Sequence, residues 1–277
     1  MTDLKEFDMT KIIKKPRANI IVIGKRNSGK STLVKDILSR VSQSVPLFIA
    51  MSRTEPTNHF YRDMMPDVCV FDDVNLGKFA DIKERQKGLI KLAQSGKNRK
   101  YRGINTNIGL VLDDCIDDTE WTKDNNVKFF TANGRWLHLM FIIATQFAKA
   151  LTPPMRANAD YIFISQMNNF DELRKIRNEF MGMIKHKQDF DYIFKTYTSN
   201  WKYIVIDNVT QDPGLQNKIF WYKAPDPDVK PKLCDPCYWD LNNIISDKIY
   251  RKLIKKEQQR NTLYSPDNND NDEERER

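Results

Sequence analysis

A lysine and a hydroxyl set just after a glycine are suited to holding phosphate. Here they stand in Gly24-Lys25-Arg26-Asn27-Ser28-Gly29-Lys30-Ser31-Thr32. In Gly-x4-Gly-Lys-Ser the glycines let the backbone curl until its N–H groups point inward at phosphate oxygens. Lys30 can then neutralise the β and γ phosphates, and the Ser31 hydroxyl can hold Mg²⁺. Arg26, inside the loop, either adds a phosphate contact or faces solvent. Further along, Ile108-Gly-Leu-Val-Leu-Asp113-Asp114 is an apolar run ending in an acidic pair. A metal held by Ser31 needs a carboxylate at the end of an adjacent strand, which Asp113 supplies. Asp114 is then placed to polarise an attacking water, although aspartate reaches one methylene less far than glutamate. The blander reading is a strand running into an acidic loop. A third apolar run, Leu139–Ala144, ends in Thr145-Gln146. Gln146 can sense a terminal phosphate or orient water, or simply end a strand. Arg135 and Arg156 bracket that run, and either can be an ordinary surface arginine or a charge that completes a neighbour's site.

These groups act together only if strands and helices bring them to one edge. Ile20–Ile23 is continuously apolar, as a strand covered on both faces requires. Leu33, Val34, Ile37, Leu38 and Val41 recur at helical spacing after the loop, so a helix N-terminus faces the phosphate. Apolar runs recur at Leu47–Met51, Val68–Phe71, Ile108–Leu112, Leu139–Ile143 and Tyr161–Ile164, separated by helical or loop segments. This alternation predicts an α/β domain with a mostly parallel sheet flanked by helices. Ligands of such sheets bind at the carboxyl edge of the strands, where Gln146 falls. Phe170, Leu173, Ile176, Phe180 and Ile184 predict one helix closing on Lys185, His186 and Lys187. Tyr203–Ile206 and Ile219–Tyr222 predict edge strands or a hairpin. Residues 1–18 are expected as a basic lead-in, 19–224 as the nucleotide-binding domain, 225–257 as a proline-rich loop and helix, and 258–277 as a disordered tail.

With 277 residues and 40% apolar content, the chain can bury a large core. A net charge of +8 suits an anionic partner. Four cysteines argue against a disulfide framework and for a reducing, intracellular setting. No run approaches the roughly 18 apolar residues of a membrane helix, and residues 1–17 lack a signal-peptide pattern. Cys234-Asp-Pro-Cys237 has metal-ligand spacing, but too few companions remain for a zinc site. Residues 78–102 hold nine Lys and Arg against Asp81 and Glu84. Within them Lys97, Arg99, Lys100 and Arg102 read as a basic loop able to track nucleic-acid phosphates, or as a solvated turn.

The order Gly24–Ser31, Leu110–Asp114, Gly134-Arg135, Ile142–Gln146, Pro154–Asn158 and Tyr161–Ile164 resembles the genome-packaging ATPases of large nucleocytoplasmic DNA viruses. These belong with the FtsK/HerA-type P-loop NTPases, of the branch with an additional strand between the two nucleotide-binding strands. The resemblance spans roughly residues 18–210. It implies ATP and Mg²⁺ as cofactors, with Lys30 and Ser31 on the nucleotide, Asp113 on the metal, Asp114 on water and Gln146 as sensor. It makes Arg135 the arginine supplied to a neighbouring subunit. Trp136, where relatives often have His, and Asp114, where many have Glu, depart from the pattern. The implied partners are double-stranded DNA, a homo-oligomeric ring and components of the capsid vertex or portal, in host-cell cytoplasm during virus assembly. The rival reading is a nucleotide-switched assembly or scaffold protein that moves no DNA, with a small-molecule kinase further off.

Overall fold

The computed structural model describes residues 3–96, 99–115, 120–212, 214–225 and 231–263. The chain divides into two units, Met1–Asp235 and Pro236–Arg277. In the first, eight strands form one sheet: β1 (Asn19–Ile23), β2 (Phe48–Ser52), β3 (Val70–Phe71), β4 (Ile108–Asp113), β5 (Leu139–Thr145), β6 (Tyr161–Ile164), β7 (Tyr203–Asp207) and β8 (Ile219–Tyr222). Their spatial order is β3-β2-β4-β5-β1-β6-β7-β8. The first six run parallel, and β7 and β8 turn antiparallel at one edge. All eight expected apolar runs are strands of this α/β sheet. The additional strand that the resemblance implies is present: β4 is not next to β1. β5 lies between them, pairing Ile23 with Thr145 on one side and Asp113 with Ala144 on the other. The insertion moves the acidic pair one strand away from the loop and puts Gln146 between.

Successive side chains of a strand point to opposite faces, and both faces are covered. Ile20, Val22, Ile142 and Phe163 pack with Leu33, Val34, Ile37 and Leu38 of the helix Lys30–Val41. On the other face Phe141 meets Phe130 edge-on at 6.2 Å, and Phe130 meets Phe79 at 6.1 Å. Those two phenylalanines come from the helices Asn125–Asn133 and Leu76–Ser95.

The lead-in is more than a basic tail. Leu4, Phe7, Met9 and Ile12 are buried, and Phe7 N donates to Trp221 O at 2.8 Å, stitching the segment to β8. The single helix expected from Phe170 to Lys187 is two. The first ends at Phe180, and a second runs Lys187–Tyr197. Gly182 falls in the break, so Lys185 and His186 lie between helices instead of closing one. The second unit is a helix, Pro236–Leu263, which runs past Gln258 because the lysines and glutamines around that point favour helix. The remainder of the expected disordered tail, 264–277, lies outside the described residues. Among the described residues, no helix is long and apolar enough to cross a membrane.

Candidate nucleotide site

Strand β1 delivers the chain into the loop at Gly24, and the helix Lys30–Val41 carries it away. Gly24 N donates to Thr145 O at 3.0 Å, fastening the start of the loop to the end of β5. Gly24 is packed so closely that an added Cβ would collide with Ser28 Oγ and Ser165 Oγ. Gly29 caps the helix at φ 86°, a left-handed conformation that glycine adopts without strain. Within a helix the first four N–H groups have no intrahelical acceptor, and no side chain caps this one. These open donors, the glycine cradle and a buried Ser28 Oγ with no hydrogen-bond partner among the described residues fit a phosphate. Lys30 Nζ folds back over the loop and donates to Gly24 O at 2.7 Å and Lys25 O at 3.2 Å. Burial pulls its ammonium below the usual lysine range, against the raising effect of Asp114 and Asp113. Lys25, Arg26, Asn27 and Ser31 are exposed, and Thr32 is half-buried.

The acidic pair and the glutamine converge here. Asp113, the last residue of β4, is 7% exposed and accepts a hydrogen bond from Tyr61 Oη at 2.9 Å. Burial pushes its carboxyl up to about 6. The Tyr61 hydrogen bond opposes that rise, the Asp114 charge adds to it, Lys30 opposes it and Glu55 adds to it. Asp114 turns out of the strand at φ 55°, a strained conformation for a residue with a side chain. Gln146 Nε2 donates to both of its carboxylate oxygens, at 2.7 and 3.0 Å. The ends of β4 and β5 thus present a buried carboxylate, a second carboxylate and an amide that orients the second.

Three contributors escape sequence reasoning. Tyr61 holds Asp113, and it is positioned by the fully buried Glu55, whose Oε2 accepts from Tyr61 N at 3.0 Å. Tyr203 Oη donates to Ser28 O at 2.9 Å and ties β7 to the loop. Between β2 and β3, Glu55 opens a single helical turn, Glu55–Asn58, and Tyr61 lies in the turn after it, with no periodicity to flag either. Tyr203 was visible only as one apolar residue of a strand.

The arginines and the basic loop stand elsewhere. Arg135 precedes β5, so it lies at the amino edge of the sheet, opposite the loop. Its Nη2 is 3.1 Å from Asp160 Oδ1, with its side chain 59% exposed. Arg156 is largely enclosed, 3.4 Å from Glu179 Oε2 and donating to Leu151 O at 2.5 Å. Arg99, Lys100 and Arg102 are exposed just before β4, also at the amino edge, and Lys97 lies outside the described residues. Cys234 Sγ interacts with the backbone of Phe48 and with the Cys69 thiol.

No family model matches the chain. It is 30% identical over 227 residues to uncharacterized protein L437 of Acanthamoeba polyphaga mimivirus, covering 81% of this chain and 78% of that one. Uncharacterized protein 088R of Invertebrate iridescent virus 3 is 31% identical over 208 residues, covering 75% and 76%. The chain belongs to this family of large-DNA-virus proteins. Among solved structures, the genome packaging NTPase B204 of Sulfolobus turreted icosahedral virus 2, in complex with ATP-gammaS, superposes with a TM-score of 0.50 at 18% identity, covering 76% of this chain and 99% of that one. The pCW3 conjugation coupling protein TcpA, with ATPgS, gives 0.54 at 13% identity, covering 76% and 60%. At those identities the likeness is one of fold, the P-loop NTPase sheet.

Proposed function

We propose that this protein hydrolyses ATP and uses the cycle to drive double-stranded DNA into a viral capsid, working as a homo-oligomeric ring. One observation carries the hydrolase reading. Lys30, Asp113, Asp114 and Gln146 meet beside the Gly24–Ser31 loop, at the ends of three neighbouring strands. A magnesium–ATP complex, when bound, would supply the electrophilic terminal phosphorus and ADP as the leaving group. The protein's part is to position and to polarise. The loop N–H groups and Lys30 hold the phosphates, while Ser31 and Asp113 hold the metal. Asp114 accepts the proton of the attacking water, and Gln146 keeps the Asp114 carboxylate aimed. Arg135 stands too far along the sheet to serve its own loop. A strand of this length spans about 20 Å. Its chemical use is therefore in the site of an adjoining copy, where its charge offsets that developing on the transferred phosphate.

The DNA reading rests on the exposed Arg99, Lys100 and Arg102, on kinship with proteins of large DNA viruses, and on the fold shared with a protein named a genome packaging NTPase. The deciding experiment measures ATP turnover with and without duplex DNA at several salt concentrations. Turnover should rise with DNA, the rise should fade with salt, and Lys30→Ala should abolish it. Turnover that survives Lys30→Ala would remove the site assignment. Turnover indifferent to DNA would favour the nucleotide-switched scaffold, a reading that the distance between the basic loop and the site keeps open.

A further inference from the structure

Asp114 and Gln146 stand on one side of the phosphate loop, where the terminal phosphate must meet water. The loop also borders two concavities, one of about 320 Å³ reached past Lys25, Asn27 and Ser28, and one of about 760 Å³ reached past Gly29 and Thr32 and walled by Trp201, Lys202, Tyr203, Trp221 and Ala224. Trp201 lines both, and a nucleotide with its last phosphate beside Asp114 sends its base away from that carboxylate, toward them. Trp201 stands there, 61% exposed. Its backbone is left-handed, at φ 63°, and so is that of Asn200, at φ 54°. Two successive strained residues holding a large aromatic ring in water are not explained by packing. The ring lies close to the loop, since a Cβ added to Gly29 would sit 3.5 Å from Trp201 Cε3. Trp221, the other indole of the concavity, already has Lys202 Nζ over its ring at 4.5 Å, which leaves Trp201 as the open aromatic face.

We propose that Trp201 is the platform on which the nucleobase stacks, and that it makes the site select nucleotides over bare polyphosphates. The inference rests on the phosphate-site reading above. A planar base on an indole is held by its face, so stacking favours any nucleobase and adds affinity that a polyphosphate cannot gain. The strained turn contributes by fixing the indole before the ligand arrives.

The test compares ATP with inorganic tripolyphosphate, both in magnesium buffer, on the full chain by calorimetry. Trp201→Ala should weaken ATP by about tenfold or more and leave tripolyphosphate unchanged, and Trp201→Phe should keep most of the ATP affinity. Tryptophan emission should be quenched by ATP and not by tripolyphosphate, and that response should vanish in Trp201→Ala. Unchanged ATP affinity in Trp201→Ala overturns the proposal. So does equal loss of both ligands, which would make Trp201 a prop for the loop through Tyr203. If the native protein binds neither ligand, or Lys30→Ala leaves both bound, the phosphate-site reading itself has failed.

Discussion

Asp113 is kept out of water at the end of β4, so its proton is held more tightly in the folded protein than in the unfolded chain. The unfolded carboxyl ionises near 3.8 and the folded one near 6. Between those values the folded state carries the extra proton. Stability of the ligand-free protein should therefore fall as pH rises through that window, by roughly 2–3 kcal/mol in total. Denaturant titrations on either side of the window check this, and the slope assigned to this group should be missing from Asp113→Asn. Asp113, Asp114, Gln146, Lys30 and Ser31 were legible in the sequence because each sits at a fixed offset from the end of an apolar run. Tyr61, Glu55 and Trp201 were not. They come from turns and a single helical turn between strands, and only the folded chain decides what such segments stand beside.

The strands were readable because burial on both faces leaves an unbroken apolar run. Helices were harder. Leu76–Ser95 buries only Phe79, Ile82 and Gln86, so its apolar period is faint beneath the charges. Lys187–Tyr197 buries Phe190, Ile193, Phe194 and Tyr197 at clear helical spacing, yet the stripe upstream hid the break between the two helices. The lead-in misled in the other direction, its lysines masking four buried apolar side chains. Phe7 makes edge-to-face contacts with Tyr161, Phe163 and Phe220, at ring separations of 5.4, 5.9 and 5.7 Å. Phe7→Ala should cost about 3–5 kcal/mol, as for other buried phenylalanines, and lower the thermal midpoint measurably. A lead-in that merely trailed in solvent would show no such loss.

Across the whole molecule, the loop and Arg135 occupy opposite ends of the same strands. If Arg135 serves an adjoining copy, Arg135→Ala should bind ATP normally yet lose turnover. Mixing it with Lys30→Ala should restore part of the activity, since each variant lends the other what it lacks. Arg156→Ala should instead act mainly on stability, because Arg156 is already tied to Glu179 and Leu151. Should Arg156→Ala show the binding-without-turnover pattern, Arg135 is the wrong choice. The separation also bears on symmetry. Copies that repeat head to tail each complete the site of the neighbour on one side only, and the contact closes into a circle if the rotation allows. All the sheets then point the same way round. A pair related by a two-fold axis satisfies both sites at once and has no such sense. In the circular arrangement, the order in which sites fire would have a handedness inherited from the direction of the six parallel strands.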